Sequence, residues 1–288
     1  MNTLRQNTIN FLFFSMVLGF LFVNLSHAAE PTQRGLYLGV FGGGSVSEST
    51  DMKQSGIAFH TPPENVSVRG TSQSKTGAIG GSHLGYEWSE IPIGSSSGWN
   101  LLPAVEVEGY YLGTSATAEL ANSQAEPAVG ERAAVPVGAH TFTDSSNLNM
   151  GVLLANSIFT FKTPWFKKLY PYVGGGIGGA ITSISNANST QTGTNSVGPA
   201  AEPGINHFNS NPNASSSSFA TQGKIGIRAE LLDHLSLFAE YRYLYVAAAN
   251  YTFGSTVYPG VHVPTTDWNT HYGSMGFNTG IFGIEYGF

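Results

Sequence analysis

The chain has 288 residues, of which 41% are hydrophobic and only 10% charged, a length and composition that suit a single folded domain. It contains no cysteine, which excludes a disulfide framework, a thiolate metal site, a cysteine nucleophile and a lipid-modified N-terminal cysteine. The formal net charge of −6 disfavours nucleic acid as a partner. The 36 glycines favour curved, closely packed strands over helices, in which glycine is destabilising.

The first residues are typical of an export signal. Arg5 precedes an apolar run of 13 residues from Phe11 to Val23, and Ser26-His27-Ala28 puts small residues where a signal peptidase requires them. A membrane-spanning helix needs roughly 20 residues, which argues against a retained anchor. We therefore predict a signal peptide over residues 1–28 and a mature domain over 29–288, in which 11 Lys and Arg stand against 18 Asp and Glu, a formal net charge of −7.

The mature chain contains eight segments in which apolar residues recur at every second position, as they do on a strand with one apolar face. Each is at least as long as the roughly 9–11 residues that a tilted strand needs to cross a bilayer. The segments lie near 35–46, 75–88, 99–113, 146–161, 169–184, 218–231, 235–249 and 274–288.

The connections between these segments alternate in length. Those at 47–74, 114–145, 185–217 and 250–273 are long and polar, and those at 89–98, 162–168 and 232–234 are short. This asymmetry is typical of outer-membrane barrels, which have short periplasmic turns and long outer loops. The sequence therefore predicts an all-β fold, an eight-stranded antiparallel up-and-down transmembrane β-barrel with four long outer loops. The loop at 185–217 is so rich in Ser and Asn that we expect it to be mobile.

Alternation alone fits a soluble lipocalin-like barrel as well, because the two kinds of barrel differ in which face points outward. Aromatic residues at the strand ends favour the membrane barrel, since such residues form belts at both interfaces. The predicted belts comprise Trp88, Trp99, Trp165, Phe166, Tyr170 and Tyr172 on the short-turn side, and Tyr110, Tyr111 and Tyr245 on the long-loop side.

Three segments resemble a known group of proteins. The stretch from Tyr170 to Gly178 (YPYVGGGIG), the stretch from Phe238 to Tyr243 (FAEYRY) and the C-terminal sequence GIEYGF are similar to OmpA/OmpX-type and opacity-type outer-membrane barrels. The resemblance covers strands and not loops, and it implies location in the cell outer membrane, contact with outer-membrane lipid, and a surface-antigen or adhesin role. It also implies that the last strand engages the barrel-assembly machinery, through a C-terminal assembly signal made of Phe282, Ile284, Tyr286 and Phe288.

Charged residues occupy the face opposite the apolar one, and eight strands leave an interior just wide enough for side chains to fill. We therefore predict an ion-pair network in the lumen, with Lys224 opposite Arg242, Glu240 diagonal to Lys224 and Arg228, and ion pairs from Glu106 and Glu108 to Arg242 or Arg228. The full set is Glu106, Glu108, Lys224, Arg228, Glu230, Glu240, Arg242 and Glu285. A gate and a purely structural plug are both compatible with it, and the need of buried charges for partners favours the plug.

The sequence offers no catalytic, cofactor-binding or metal site. His234-Leu235-Ser236 resembles the His-x-Ser element of barrel lipid A deacylases, but it falls at a short turn on the periplasmic side. His60, His140, His207 and His262 are scattered over four loops without metal-ligand spacing. The Gly42–Gly44 and Gly174–Gly179 runs lack the helix and Lys-Ser/Thr pair of a phosphate loop.

These observations leave three functions open. The first is a non-enzymatic surface protein whose exposed loops contact a host or environmental ligand. The second is a narrow porin-like channel for small solutes, and the third is a lipid-modifying or envelope-stabilising barrel. The four long loops carry a summed formal charge of −6, which disfavours a polyanion such as heparin as the ligand.

Overall fold

A computed structural model of the protein describes residues 35–94, 98–122, 126–127, 140–166, 168–192 and 201–288. The predicted signal peptide lies outside the described residues. The strands are β1 (Gly35–Ser47), β2 (Asp51–Ala58), β3 (Glu64–Ser72), β4 (Thr76–Glu87), β5 (Ile91–Ile93), β6 (Trp99–Ala121), β7 (Glu126–Pro127), β8 (Thr141–Lys162), β9 (Leu169–Gln191), β10 (Ala214–Leu232), β11 (Leu235–Val246), β12 (Ala249–Phe253), β13 (Trp268–Tyr272) and β14 (Met275–Gly287). No helix among the described residues is long and apolar enough to cross a membrane.

Eight of these strands close into a ring. They follow one another as β1, β4, β6, β8, β9, β10, β11 and β14, and every neighbouring pair is antiparallel. The ring closes where β14 pairs with β1, for example Val40 opposite Ile284. The predicted fold, an all-β eight-stranded up-and-down transmembrane barrel, is confirmed.

The apolar face of the ring points outward. On β9 the outward positions from Pro171 to Ile181 hold only proline, glycine and aliphatic residues. This band is 11 residues long, the length that a tilted strand needs to cross a bilayer. On the last strand Phe282 is 73% exposed on the outer face, while Glu285 on the inner face is 3% exposed. A soluble barrel has the opposite arrangement, so the faces identify a barrel that lies in lipid.

Glycines inside the ring make room for large neighbours. Gly39 lies opposite His83, Gly85 opposite Tyr37, Gly226 opposite Tyr172 and Gly283 opposite Phe238. A Cβ on Gly226 would lie 2.5 Å from the Tyr172 hydroxyl and 2.7 Å from the Ala239 carbonyl oxygen. Each inward aromatic or imidazole ring therefore covers the glycine on the adjoining strand, which packs the narrow interior without voids.

Three ring strands continue well beyond the lipid-facing band. The structure extends β6 to Ala121, begins β8 at Thr141 and extends β9 to Gln191, whereas the sequence predicted boundaries at 113, 146 and 184. Strands β2, β3, β12 and β13 form a sheet in the order β12-β13-β2-β3, and β3 adds to the edge of β6 through Arg69–Ser72. We call this part, residues 48–75, 113–122, 140–149, 183–192, 201–217 and 247–274, the extramembrane region.

In the extramembrane region, the outward face of the strands is polar and the inward face is apolar, the reverse of the transmembrane ring. Outward positions become polar, as at Ser115, Thr117 and Glu119 on β6. Inward positions become apolar, and a buried core joins the strand extensions to the added sheet. Its members in the extramembrane region include Met52, Val66, Val68, Leu120, Phe142, Ile184, Phe208, Tyr251, Phe253 and Trp268, and it continues into the ring through Leu112, Met150 and Phe277. The four long outer segments are therefore present as predicted, and their described parts contain strands that pack over a buried core continuous with the interior of the ring.

Several sequence expectations need correction at this level. Tyr110 and Tyr172 are each 5% exposed and point into the barrel, so they do not belong to the interfacial belts; Trp88, Trp165 and Phe166 are exposed as predicted. Within 185–217, residues 185–191 and 214–217 are strand and Phe208 is buried, while the middle, 193–200, lies outside the described residues.

Candidate functional site: the charged lumen and the outer histidines

The lumen of the transmembrane ring is filled by one continuous polar network. Lys224 is its centre, with Nζ 2.6 Å from Glu106 Oε2, 3.0 Å from Glu108 Oε2 and 3.8 Å from Glu240 Oε2. Arg242 contacts Glu108 Oε1 through Nη1 and Glu240 Oε1 through Nη2 at 2.6 Å. All five side chains are at most 4% exposed, so these three carboxylates and two cations interact with one another instead of with water.

A second group of charges lies nearer the short turns. Arg228 donates from Nη1 to Glu87 Oε2 at 2.9 Å, and its Nε lies 3.1 Å from Glu285 Oε1. His83 Nε2 lies 3.3 Å from the other oxygen of Glu285. The two groups are linked by Tyr37, whose hydroxyl donates to Glu106 at 2.9 Å while its ring lies 5.6 Å from the Arg228 guanidinium carbon.

Neutral side chains complete the plug. Tyr172 donates to Glu240 Oε2 at 2.9 Å, and Gln222 donates to Asn156 Oδ1 at 2.8 Å. The Arg242 guanidinium lies 4.6 Å from the Phe41 ring centroid and 5.3 Å from that of Tyr110. With these residues, all eight ring strands contribute a side chain to the network, so the interior is cross-linked in every direction across the barrel.

The structure brings together most of the residues that the sequence assigned to the lumen, although some partners differ. Lys224 lies opposite Arg242 in the β10–β11 register, and Glu108 contacts Arg242. Glu106 contacts Lys224 instead of an arginine. Arg228 contacts Glu87 and Glu285 instead of Glu106 or Glu108.

Glu230 does not join the network as predicted. It is only partly buried and accepts a hydrogen bond from the Tyr170 hydroxyl at 2.9 Å. The reason is its position: the β10–β11 register shifts between Glu230 and Leu232, next to the short turn, where the strand leaves the ring. The prediction that Glu230 pairs in the lumen was therefore wrong.

The sequence reasoning missed Glu87, His83 and Tyr37 as members of this network. Glu87 has the same strand parity as His83 and Gly85, and that parity marks the inward face of β4. Tyr37 has the inward parity of β1. Because Tyr37 and His83 are amphipathic and Glu87 sits at a strand end, counting charges alone did not assign them to the lumen.

The C-terminal residues assigned to an assembly signal lie on the outer surface. Phe282, Ile284, Tyr286 and Phe288 are all between 48% and 73% exposed and face the lipid side of β14. The Phe288 amide donates to the Leu36 carbonyl oxygen at 3.0 Å, so the last residue still pairs with β1. The pair of strands β1 and β14, which closes the ring, therefore has an apolar outer face. Recognition of this segment by the barrel-assembly machinery stays a prediction.

Histidines that are distant in sequence meet in the extramembrane region. His207 and His262 each place Nε2 3.3 Å from Glu202 Oε2. His140 lies nearby, with Nε2 3.1 Å from Glu64 Oε1 and Nδ1 3.1 Å from Gln191 Oε1. The spacing of histidines along the sequence does not predict the group of Glu202, His207 and His262, because its members come from two different connections. His207 and His262 are 55 residues apart along the chain.

Asp144 and His140 are two of the groups in this region whose pKa values are shifted. Burial without a cationic partner raises the pKa of Asp144 to about 7, although a hydrogen bond from Ser189 opposes the shift. At His140, burial lowers the pKa, but hydrogen bonds to Glu64 and Gln191 outweigh it and the net shift is upward. Both ring nitrogens of His140 face acceptor oxygens, an arrangement that the doubly protonated imidazolium satisfies best.

The His234-Leu235-Ser236 element shows no triad-like geometry among the described residues. His234 directs Nδ1 to the Gly287 carbonyl oxygen at 3.0 Å, and its ring packs against Tyr286. Ser236 is buried on the inward face of β11. The histidine therefore orders the turn beside the C-terminal strand.

No family model and no curated protein matches this chain. Among solved structures, it is similar to the outer-membrane protease OmpT from Escherichia coli, with 7% identity, TM-score 0.38, and coverage of 87% of this chain and 97% of that one. It is also similar to Neisserial surface protein A, with 14% identity, TM-score 0.33 and coverage of 91% and 100%. The outer-membrane protein OprG from Pseudomonas aeruginosa gives 12% identity, TM-score 0.33 and coverage of 89% and 98%.

Proposed function

We propose that this protein is a non-enzymatic surface barrel of a bacterial outer membrane, whose lumen is sealed and whose extramembrane region contacts a host or environmental ligand. The observation that carries the proposal is the division of the barrel into two parts. The transmembrane ring is filled by buried ion pairs, and the strands that leave the membrane form a folded layer over a continuation of the buried core. A rigid layer raised above the lipid suits binding, because exposed segments on a stable scaffold lose little entropy on contact.

The sealed lumen argues against the narrow channel. Lys224, Arg242 and Glu108 cross the interior with side chains that are 2% exposed or less. A solute or ion path would have to separate these pairs, which costs several kcal/mol per uncompensated buried charge. The same buried cluster continues from the ring into the extramembrane region, through residues such as Leu112, Leu120 and Phe142.

The surface of the extramembrane region offers apolar contact points. Phe59 and Val261 are 51% and 75% exposed, in the β2–β3 turn and the β12–β13 connection. The two segments are joined by the Phe59 amide, which donates to the Pro264 carbonyl oxygen at 2.9 Å, and by a bridge between Ala58 and Thr265. Exposed aromatic and aliphatic side chains on an ordered scaffold are common anchors of binding surfaces.

Adherence of whole cells tests the binding role. Cells that display the protein are compared with cells that display the Phe59→Ser/Val261→Ser variant, on cultured epithelial cells and on immobilised matrix proteins. We expect adherence to fall at least tenfold, with the amount of folded barrel at the surface unchanged. Val257→Ser serves as a control in the same connection, since Val257 is also exposed. Equal adherence of all the variants, or no adherence above that of cells without the protein, would remove this role.

Conductance tests the sealed lumen. In planar bilayers we expect no sustained channels from the intact protein. The Glu106→Gln/Glu108→Gln variant should lose stability because Lys224 and Arg242 then share a single remaining carboxylate, that of Glu240. Stable, uniform openings of the unmodified protein would favour the channel instead.

A further inference from the structure

We infer that Glu202, His207 and His262 form a binding site for a divalent transition-metal ion of the zinc type. Glu202 and His207 lie in the β9–β10 connection, and His262 lies in the β12–β13 connection. Their ligand atoms, one carboxylate oxygen and two imidazole nitrogens, all lie within 4.8 Å of one another. This inference is independent of the proposed binding surface.

The hydrogen bonds of the two rings fix which nitrogen is free. His207 directs Nδ1 to the Ser189 carbonyl oxygen at 2.9 Å, and His262 directs Nδ1 to the Val263 carbonyl oxygen. A carbonyl oxygen only accepts, so Nδ1 carries the proton in both rings and Nε2 of the neutral ring presents a lone pair. Metal-binding histidines are commonly held in this way, with the second ring nitrogen donating to a backbone carbonyl.

The carboxylate then faces two lone pairs. Glu202 Oε2 lies 3.3 Å from each Nε2, and this oxygen atom is itself buried. Three electron-rich atoms at this separation repel one another unless a positive charge lies between them. A bound cation supplies that charge and leaves both histidines neutral.

The two separations between Glu202 Oε2 and the imidazole nitrogens fit a tetrahedral ion. Zinc binds imidazole nitrogen and carboxylate oxygen at about 2.0–2.1 Å, which places neighbouring ligands of a tetrahedron about 3.3–3.4 Å apart. Both contacts of Glu202 Oε2 have this length. Two imidazoles and one carboxylate are a ligand set that suits zinc, copper and nickel and does not suit magnesium or calcium, which prefer oxygen. The fourth position remains for water.

The surroundings hold the ligands in place. The Phe142 ring packs edge-on against His207 with a centroid distance of 4.9 Å, and the Thr256 hydroxyl donates to the His207 carbonyl oxygen at 3.0 Å. The side chain of Asn209 exchanges two hydrogen bonds of 2.8 Å with the backbone of Val257, joining the two connections. Because both connections are already joined, a metal ion binds without a large ordering cost and fastens them further.

Zinc binding to the mature protein in detergent micelles, prepared without an affinity tag, tests the inference. Competition with a chromogenic chelator at pH 7.5 should give one zinc ion per chain. Glu202→Gln and His262→Gln should each weaken binding at least tenfold, while His271→Gln, an exposed histidine on β13, should leave it unchanged. Magnesium at millimolar concentration should not displace zinc.

A second measurement follows zinc-dependent stability. Saturating zinc should raise the unfolding midpoint of the intact protein and of His271→Gln, but not that of Glu202→Gln or His262→Gln. His207 is 3% exposed and packs in the core, so its replacement also removes packing, whereas Glu202 and His262 are 31% and 11% exposed and provide the decisive variants. If the intact protein binds no zinc, or if all variants bind it equally, the site is an ion pair of protonated histidines and the inference is wrong.

Discussion

Replacing Lys224 with methionine removes the cation on which the lumen network centres. Lys224 Nζ lies 2.6 Å from Glu106 and 3.0 Å from Glu108, and its side chain is 2% exposed. After the substitution Glu108 keeps Arg242, but Glu106 keeps the Tyr37 hydroxyl and the nearby His83 ring, and no lysine or arginine among the described residues contacts it. Removing one partner of a buried ion pair typically costs about 3–5 kcal/mol, and we expect a loss of that size in the free energy of unfolding.

Urea unfolding in lipid vesicles, followed by tryptophan fluorescence, measures this loss. Lys162→Met is the matched control, because Lys162 pairs with Glu90 at 3.0 Å but is 34% exposed, and an exposed pair contributes about 0–1 kcal/mol. Adding Glu106→Gln to Lys224→Met removes the uncompensated carboxylate and should restore at least about 1 kcal/mol. A Lys224→Met variant as stable as Lys162→Met, or a double variant less stable than Lys224→Met, would refute the reasoning.

Three further predictions concern packing and pH. Gly226→Ala should lose about 1–3 kcal/mol of stability because its Cβ would meet Tyr172 and the Ala239 carbonyl oxygen, whereas the Cβ of Gly223→Ala on the same strand meets nothing within 4 Å. Urea unfolding measures the stability of both variants, and equal losses would contradict the packing argument. Asp144 has a pKa of about 7 in the folded protein against 3.8 for the free side chain, so the wild-type protein should lose stability as the pH rises from about 4 to 7. Asp144→Asn should therefore be more stable than the wild type at pH 8 and no more stable at pH 4. A stability difference that does not change with pH would be evidence against the shifted pKa. The raised pKa of His140 gives stability that is present below about pH 6.5 and is lost as the pH rises through the pKa of the folded state. His140→Gln should therefore lower the free energy of unfolding at pH 5.5 and lower it less at pH 9, whereas His271→Gln should not change it at either pH. A loss that grows with pH would contradict the direction of the shift.

The transmembrane half of the barrel was predictable because one simple pattern determines it. Lipid on one side and a narrow polar interior on the other force strict alternation, which predicts Lys224 opposite Arg242 and ion pairs from Glu106 and Glu108 to Arg242 or Arg228. The structure has Lys224 opposite Arg242, and of the predicted pairs it has Glu108 with Arg242. Individual partners were less predictable. Whether Arg228 reaches Glu87 or Glu106 depends on the tilt and stagger of strands around the ring, and the alternation carries no information on either.

The extramembrane region was not predictable by the same reasoning. Its strands still alternate, but the apolar residues now point inward, as at Leu120 and Phe142, and serine, threonine and asparagine point outward. A polar composition was therefore interpreted as loop, although it describes only the outer face of a folded layer. The metal-ligand cluster was missed for a related reason: Glu202 and His262 meet only because this layer folds.

The orientation of the strand faces is the claim on which the account depends most, and a nitroxide scan of β11 tests it directly. The chain has no cysteine, so single cysteines at Leu237, Ala239, Tyr241, Tyr243 and Tyr245 can be labelled one at a time in lipid vesicles. We predict that collisions with dissolved oxygen exceed those with a water-soluble nickel reagent at all of these positions, most strongly near the middle of the strand. Labels that collide mainly with the nickel reagent would show that this face meets water, and the transmembrane barrel described above would be wrong.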